Sequence, residues 1–150
     1  MTSTSTSYKT ACIEQVYFLR WLTPPRPGDP PALLDEMRGI SQKLGKKMFV
    51  VSVIASNTPV PNSEQRKLLN GLVADVRQYA SEVFMVVEGN ELQHNLQRVI
   101  ISGTLIFSRV NAGYLSVYKS ADQLQGILTE RLGKDAGYIV KDARQRGLVT

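Results

Sequence analysis

The eight residues MFVVSVIA, Met48–Ala55, constrain the fold more than any other stretch. They are dense in β-branched side chains, and apolar residues occupy both sides of the period-two pattern. A strand that is apolar on both faces must be covered on both faces, as is the centre of a parallel sheet with helices packed on it. The flanking segments agree. Leu33, Leu34, Met37, Ile40 and Leu44 recur at helical spacing before it, and Gly45 supplies the stop. Asp29 is the expected N-cap of that helix, with Pro30 at its first position. After it, Leu68, Leu69, Leu72, Val73, Val76 and Tyr79 predict a second helix reaching about Ala80. Asn62 followed by Gln65 is a capping-box variant at its start.

The same alternation continues along the chain. Val83–Val87 reads as a strand, and Glu88-Gly89-Asn90 as the turn after it. Asn90 and Gln93 repeat the cap spacing, so a third helix is expected over 91–108. Its apolar residues cover more than one stripe, which calls for burial on two sides. Leu96, Ile100 and Phe107 on this helix are therefore the candidate interface of a homodimer. Tyr114–Tyr118 is a further strand, and Ser120 with Gln123 caps a helix over 121–132 that Gly133 ends. Ahead of all this lies Ala11–Leu22, a strand whose imperfect alternation admits a bulge or a hairpin near Glu14-Gln15. It stops at Thr23–Pro31, where five prolines in nine residues can join neither a ladder nor a helix interior.

Strand and helix thus alternate four times. The expected fold class is α/β, a four- or five-stranded mostly parallel sheet with crossover helices. Residues 1–8, rich in Ser and Thr, are expected to be a disordered lead-in. The single α/β domain is expected over 9–133, with 134–150 as a basic C-terminal extension that forms a short helix around Lys141–Arg146.

Composition removes several function classes. Cys12 is the one cysteine and His94 the one histidine in 150 residues, which excludes an intramolecular disulfide, a cysteine zinc site and a multi-histidine metal site. The formal charge is +5, with the excess toward the two ends of the chain. Lys43, Lys46 and Lys47, and later Lys141, Arg144 and Arg146, have no aromatic residues between them to stack bases. Nucleic acid is not an expected partner. No apolar leader or bilayer-length run stands in the sequence, so no membrane span is expected and the cytoplasm is the expected location. No Gly-rich phosphate loop follows any strand, and no cofactor is expected.

Several of these residues carry a resemblance. The helix opened by SEQR at Ser63–Arg66, the segment MVVEGN at Met85–Asn90 leading into a helix with Arg98, and the closing strand followed by SADQL at Ser120–Leu124 are similar to small bacterial proteins distantly related to STAS and SEC14-like domains. STAS domains are the module of anti-sigma-factor antagonists. The resemblance covers roughly residues 48–128. It implies a STAS-like α/β fold acting through protein contacts, often switched by phosphorylation of a Ser or Thr at a helix start beyond a central strand. Ser56, Thr58 and Ser63 are the positions here that match that place. The Asp-Ser dipeptide usual in that loop is absent. A phosphate on Ser63 would meet the positive end of the helix, with Arg66 and Lys67 a turn away to pair with it.

Two functions are therefore expected to compete. The first is a non-enzymatic regulatory or scaffolding protein of bacterial signalling, working by protein–protein contact as a homodimer with a further partner unspecified. The alternative is a small-molecule-binding protein or small enzyme whose polar pocket lies at the carboxyl edge of the strands, with Asn57, Glu88, Asn90 and His94 as its candidate lining.

Overall fold

A computed structural model describes residues 2–4, 7–89 and 113–150. Its core is the expected parallel sheet, which begins with a hairpin. The imperfect alternation of the first apolar segment resolves into β2 (Tyr8–Ile13) and β3 (Val16–Trp21), paired antiparallel from Tyr8↔Trp21 to Ile13↔Val16. Two residues, Glu14 and Gln15, make the turn, and Glu14 takes the left-handed conformation with φ 54°. A positive φ at the first central residue is what a tight two-residue hairpin asks for.

β4 (Met48–Ile54), β5 (Ala80–Val87) and β6 (Leu115–Tyr118) then add in parallel to β3. β4 is central, as its two apolar faces predict, with β3 on one side and β5 on the other. Among the described residues the sheet has six strands rather than four or five. The hairpin supplies the fifth, and β1 (Thr2–Thr4) the sixth, pairing antiparallel with Lys9–Ala11. The expectation that residues 1–8 are disordered is corrected in this respect. A strand at the sheet edge needs backbone pairing rather than large side chains, and threonines suit it. Ser7 is buried, its carbonyl accepting from the N–H groups of Leu22 and Thr23.

Helices α1 (Asp29–Leu44) and α2 (Ser63–Val76) cover one face, setting Leu33, Met37, Leu72 and Val76 on Tyr17, Leu19, Val50 and Met85. Leu33 and Met37 are fully buried, each worth about 1.5–3 kcal/mol relative to exposure. The other face carries Val16, Phe18, Val51, Val53, Phe84 and Val86 beneath α3 (Ala121–Leu132) and α4 (Gly137–Gln145). Residues 134–150 are thus part of the domain core and not an extension to it. Ile139, Val140 and Ala143 form the buried face of α4, a pattern masked in the sequence by the interleaved Lys141 and Asp142.

The helix ends follow their local chemistry. Asn62 and Gln65 form a full capping box, with Gln65 N donating to Asn62 Oδ1 at 2.9 Å and Asn62 N to Gln65 Oε1 at 2.8 Å. Ser120 caps α3, and Gly133 ends it at φ 70°. Asp29 is not the N-cap of α1. Gly28 holds that place, and the Asp29 carboxylate accepts from Arg26 N at 2.8 Å instead, bracing the proline loop. α2 stops at Val76, short of Ala80, because β5 starts there, three residues earlier than expected. The helix expected over 91–108 lies outside the described residues.

Candidate functional site

In parallel sheets ligands gather at the carboxyl edge of the strands, where successive connections leave in opposite directions and open a crevice. Here the strand order is strictly sequential, β1 to β6, and it never reverses among the described residues. The edge is instead filled by two loops. Thr23, Pro24 and Pro25 follow β3, while Ala55–Asn62 follows β4. Prolines of both loops wall a cavity of about 20 Å³ over Trp21 and Leu69, enough for a single water.

The candidate hydroxyls at this edge are not equivalent. Thr58 is buried, and its Oγ1 donates to the carbonyl of Trp21 at 3.2 Å while its N–H bonds Ala55 O. That geometry ties the β4–α2 loop to the end of β3. Ser56 and Asn57 are exposed. Ser63 is exposed at the first position of α2, directly after the Asn62 cap. Arg66 is half-buried, and Nη1 donates to Pro61 O at 3.2 Å, so the guanidinium lies against the loop that leads into the helix. Lys67 is exposed.

Glu88 is different in kind. It follows β5, its N–H bonding Ile54 O, and only 4% of it is exposed. Oε1 lies 2.8 Å from Arg20 Nη1 on β3, across the intervening β4. Oε2 accepts from both the N–H and the hydroxyl of Thr150, each at 2.8 Å. Arg20 also donates to Leu148 O at 3.2 Å. Oε2 is thus fully hydrogen-bonded and Oε1, which makes no hydrogen bond, rests against the Arg20 guanidinium, so among the described residues the carboxylate faces internal partners. The Glu88–Arg20–Thr150 set was not legible in the sequence, because its members lie 62 or more residues apart with no motif joining them. Asn90 and His94, the other candidate pocket residues, and Leu96, Ile100 and Phe107, the candidate interface, lie outside the described residues.

Two further polar features went unread. Glu36 of α1 accepts from Thr10 Oγ1 at 2.6 Å and from the Tyr17 hydroxyl at 3.0 Å. Tyr17 is fully buried, and burial, followed by the charge of Glu36, pushes its ionisation far above the usual tyrosine range. On the same face Tyr114 donates to Val73 O at 3.1 Å, with the Arg77 guanidinium 4.4 Å from its ring centroid. Burial raises the Tyr114 pKa to about 12, against the opposing pull of Arg77. Cys12 is half-buried, and desolvation pushes its thiol up, away from the reactive thiolate.

At the opposite end of the sheet, a cleft of about 400 Å³ lies between Leu44 and Lys46 after α1 and Leu132 and Lys134 after α3. Its acidic group is taken: Glu14 accepts from the Tyr138 hydroxyl, which is the main reason its carboxyl sits below the usual range, and pairs with Lys134 at 3.3 Å. Among the described residues no group of three or more His, Cys, Asp or Glu converges as metal ligands. No helix among them is long and apolar enough to cross a membrane. Comparison of the chain with family models, with curated proteins and with solved structures finds no match.

Proposed function

We propose that this chain is a non-enzymatic module of a regulatory or scaffolding kind that works by protein–protein contact, as its resemblance to STAS domains implies. One observation carries the reading: among the described residues the carboxyl edge of the sheet is closed. The strand order opens no crevice there, and Glu88, the carboxylate at the end of β5, is held by Arg20 and Thr150. Of the side chains exposed at that edge, the candidates Ser56, Asn57 and Ser63 are small and neutral, and suit a contact surface or a modification better than a reaction centre. Bacterial signalling is the setting that goes with the resemblance, and Ser63 is the position at which a phosphate would meet the start of α2.

The test has two arms. Light scattering from low to high micromolar concentration reads self-association, and a mass that rises to two chains supports the contact reading. A monomer throughout removes the homodimer. A thermal-shift screen of small anionic and polar compounds reads the competing function through ligand linkage. A saturable rise in Tm that Asn57→Ala or Glu88→Gln abolishes would overturn the contact reading in favour of a pocket.

A further inference from the structure

Residues 147–150 cross the carboxyl edge on the α3/α4 face without joining the sheet. Leu148 is fully buried and Val149 nearly so, yet the segment pairs with no strand. Its start is fixed by Gly147 at φ 74°, where the chain turns off α4 and Leu148 N bonds Ala143 O at 2.9 Å. Beyond that point its polar anchors are side chains: Arg144 Nε of α4 donates to Thr150 O at 3.2 Å, and two more reach the segment from the sheet. Arg20 Nη1 holds Leu148 O, and Glu88 Oε2 takes both Thr150 donors. Arg20 and Glu88 are themselves an ion pair, Oε1 to Nη1 at 2.8 Å, so a single carboxylate organises the attachment to the sheet. Just upstream, Lys9 Nζ donates to Arg146 O.

We propose that residues 147–150 are a latched strap, with Glu88 as the latch, which opens as a unit before the sheet does. A segment held by side chains belongs to the low-stability end of local opening, whereas β4, paired on both sides, opens only with the whole fold. Opening uncovers Arg20, Glu88 and the slot that Leu148 and Val149 vacate. The carboxyl edge then presents a charged pair beside an apolar groove, in place of the closed surface described above. The strap is therefore a built-in cover whose position decides which of two surfaces this face offers.

Native-state hydrogen exchange on the full chain tests the proposal. The amides of Leu148 and Thr150 should be protected, yet should exchange at least 100-fold faster than those of Val51 and Val53. Glu88→Gln keeps the shape and removes the charge, and should speed Leu148 and Thr150 by tenfold or more, with Val51 and Val53, which open only with the whole fold, sped by no more than that factor and still at least 100-fold slower than the strap. Thr150→Val, which removes one of the two donors and disturbs folding less, should move the same two amides in the same direction. Exchange of the strap at the rate of β4 would overturn the proposal. So would exchange of Leu148 and Thr150 unchanged in Glu88→Gln, or an absence of protection at Thr150 in the wild type.

Discussion

Ser52 breaks the rule that makes β4 recognisable. Its strand neighbours Val50 and Ile54 point into the core under α1 and α2, and Ser52, only 7% exposed, points the same way. There it is the one hydroxyl among the described residues lining a cavity of about 30 Å³, with Leu19, Met37, Leu72, Val76 and Met85 around it. Ser52→Val replaces the hydroxyl with a methyl, adds a second methyl and favours the strand. Filling a void of 30 Å³ is worth about 0.7 kcal/mol at ~24 cal/mol per Å³. Burying the added carbon contributes about 0.8 kcal/mol, and relief of the buried hydroxyl about 1 kcal/mol more. Some of this is lost to crowding in a packed core, leaving a net gain of about 1–2 kcal/mol. At roughly 2–4 °C per kcal/mol for a chain of this size, Tm should rise by about 5 °C. Thermal melts followed by circular dichroism read it directly. Ser52→Ala separates the two contributions, since it removes the hydroxyl without filling the space and should give about half the gain. A fall in Tm for Ser52→Val would refute the reasoning, because it would mean that the hydroxyl is worth more than the volume beside it.

Two other outcomes follow from named contacts. Tyr114, held protonated up to about pH 12 in the fold against 10 when unfolded, keeps its proton longer than the denatured chain does; its contribution is whole below pH 10 and is lost as pH climbs from 10 toward 12. Melts across that window should show Tm falling more steeply for wild type than for Tyr114→Phe, with the 295 nm phenolate signal rising late. Asn62→Ala dissolves the capping box at the start of α2 and should cost about 1 kcal/mol, or roughly 3 °C in Tm, with Asn62→Ser recovering most of it.

How far the fold could be read from the sequence depended on how local its causes were. Met48–Ala55 announced a central strand because both its faces are apolar, and that property survives in any single-sequence reading. The ends of α2 and α3 were legible for the same reason: Asn62 with Gln65, Ser120 and Gly133 act within one turn. The hairpin was only half legible, since Ala11–Leu22 is apolar on both sides once β2 and β3 pair, and nothing in composition separates that from one bulged strand. β1 was missed because threonines pairing at an edge bury no large side chain. The helix around Lys141–Arg146 was legible but its place in the core was not, because the charged Lys141 and Asp142 stand between its buried positions. At the candidate site the loop hydroxyls were found but not their exposure. Thr58 is inaccessible through a bond to Trp21, 37 residues away, and Glu88 is engaged by residues still farther off. Such partners are set by topology, which no local pattern encodes.

That topology also explains why the last residues carry so much of the core. α1 and α2 both settle on one face as the strands add in sequence, and among the described residues the helices on the other face come only after β6. α3 and α4 must cover it on the way back, and the far side of the sheet lies at β2 and β3. The bonds that close this circuit are among the longest in sequence: Lys9 to Arg146, Arg20 to Leu148, Lys134 to Glu14. Loop closure over such separations is costly before the contacts repay it, so the face carrying Ala11, Ile13, Val16 and Phe18 is the last to be covered. A buried ion pair at the end of that path contributes little net stability, since desolvation offsets most of its attraction. What Arg20 and Glu88 supply is register. Each has a fixed partner on residues 148–150, so α4 slid by one residue along the apolar face would strand a buried charge, and the sheet accepts its cover in a single alignment.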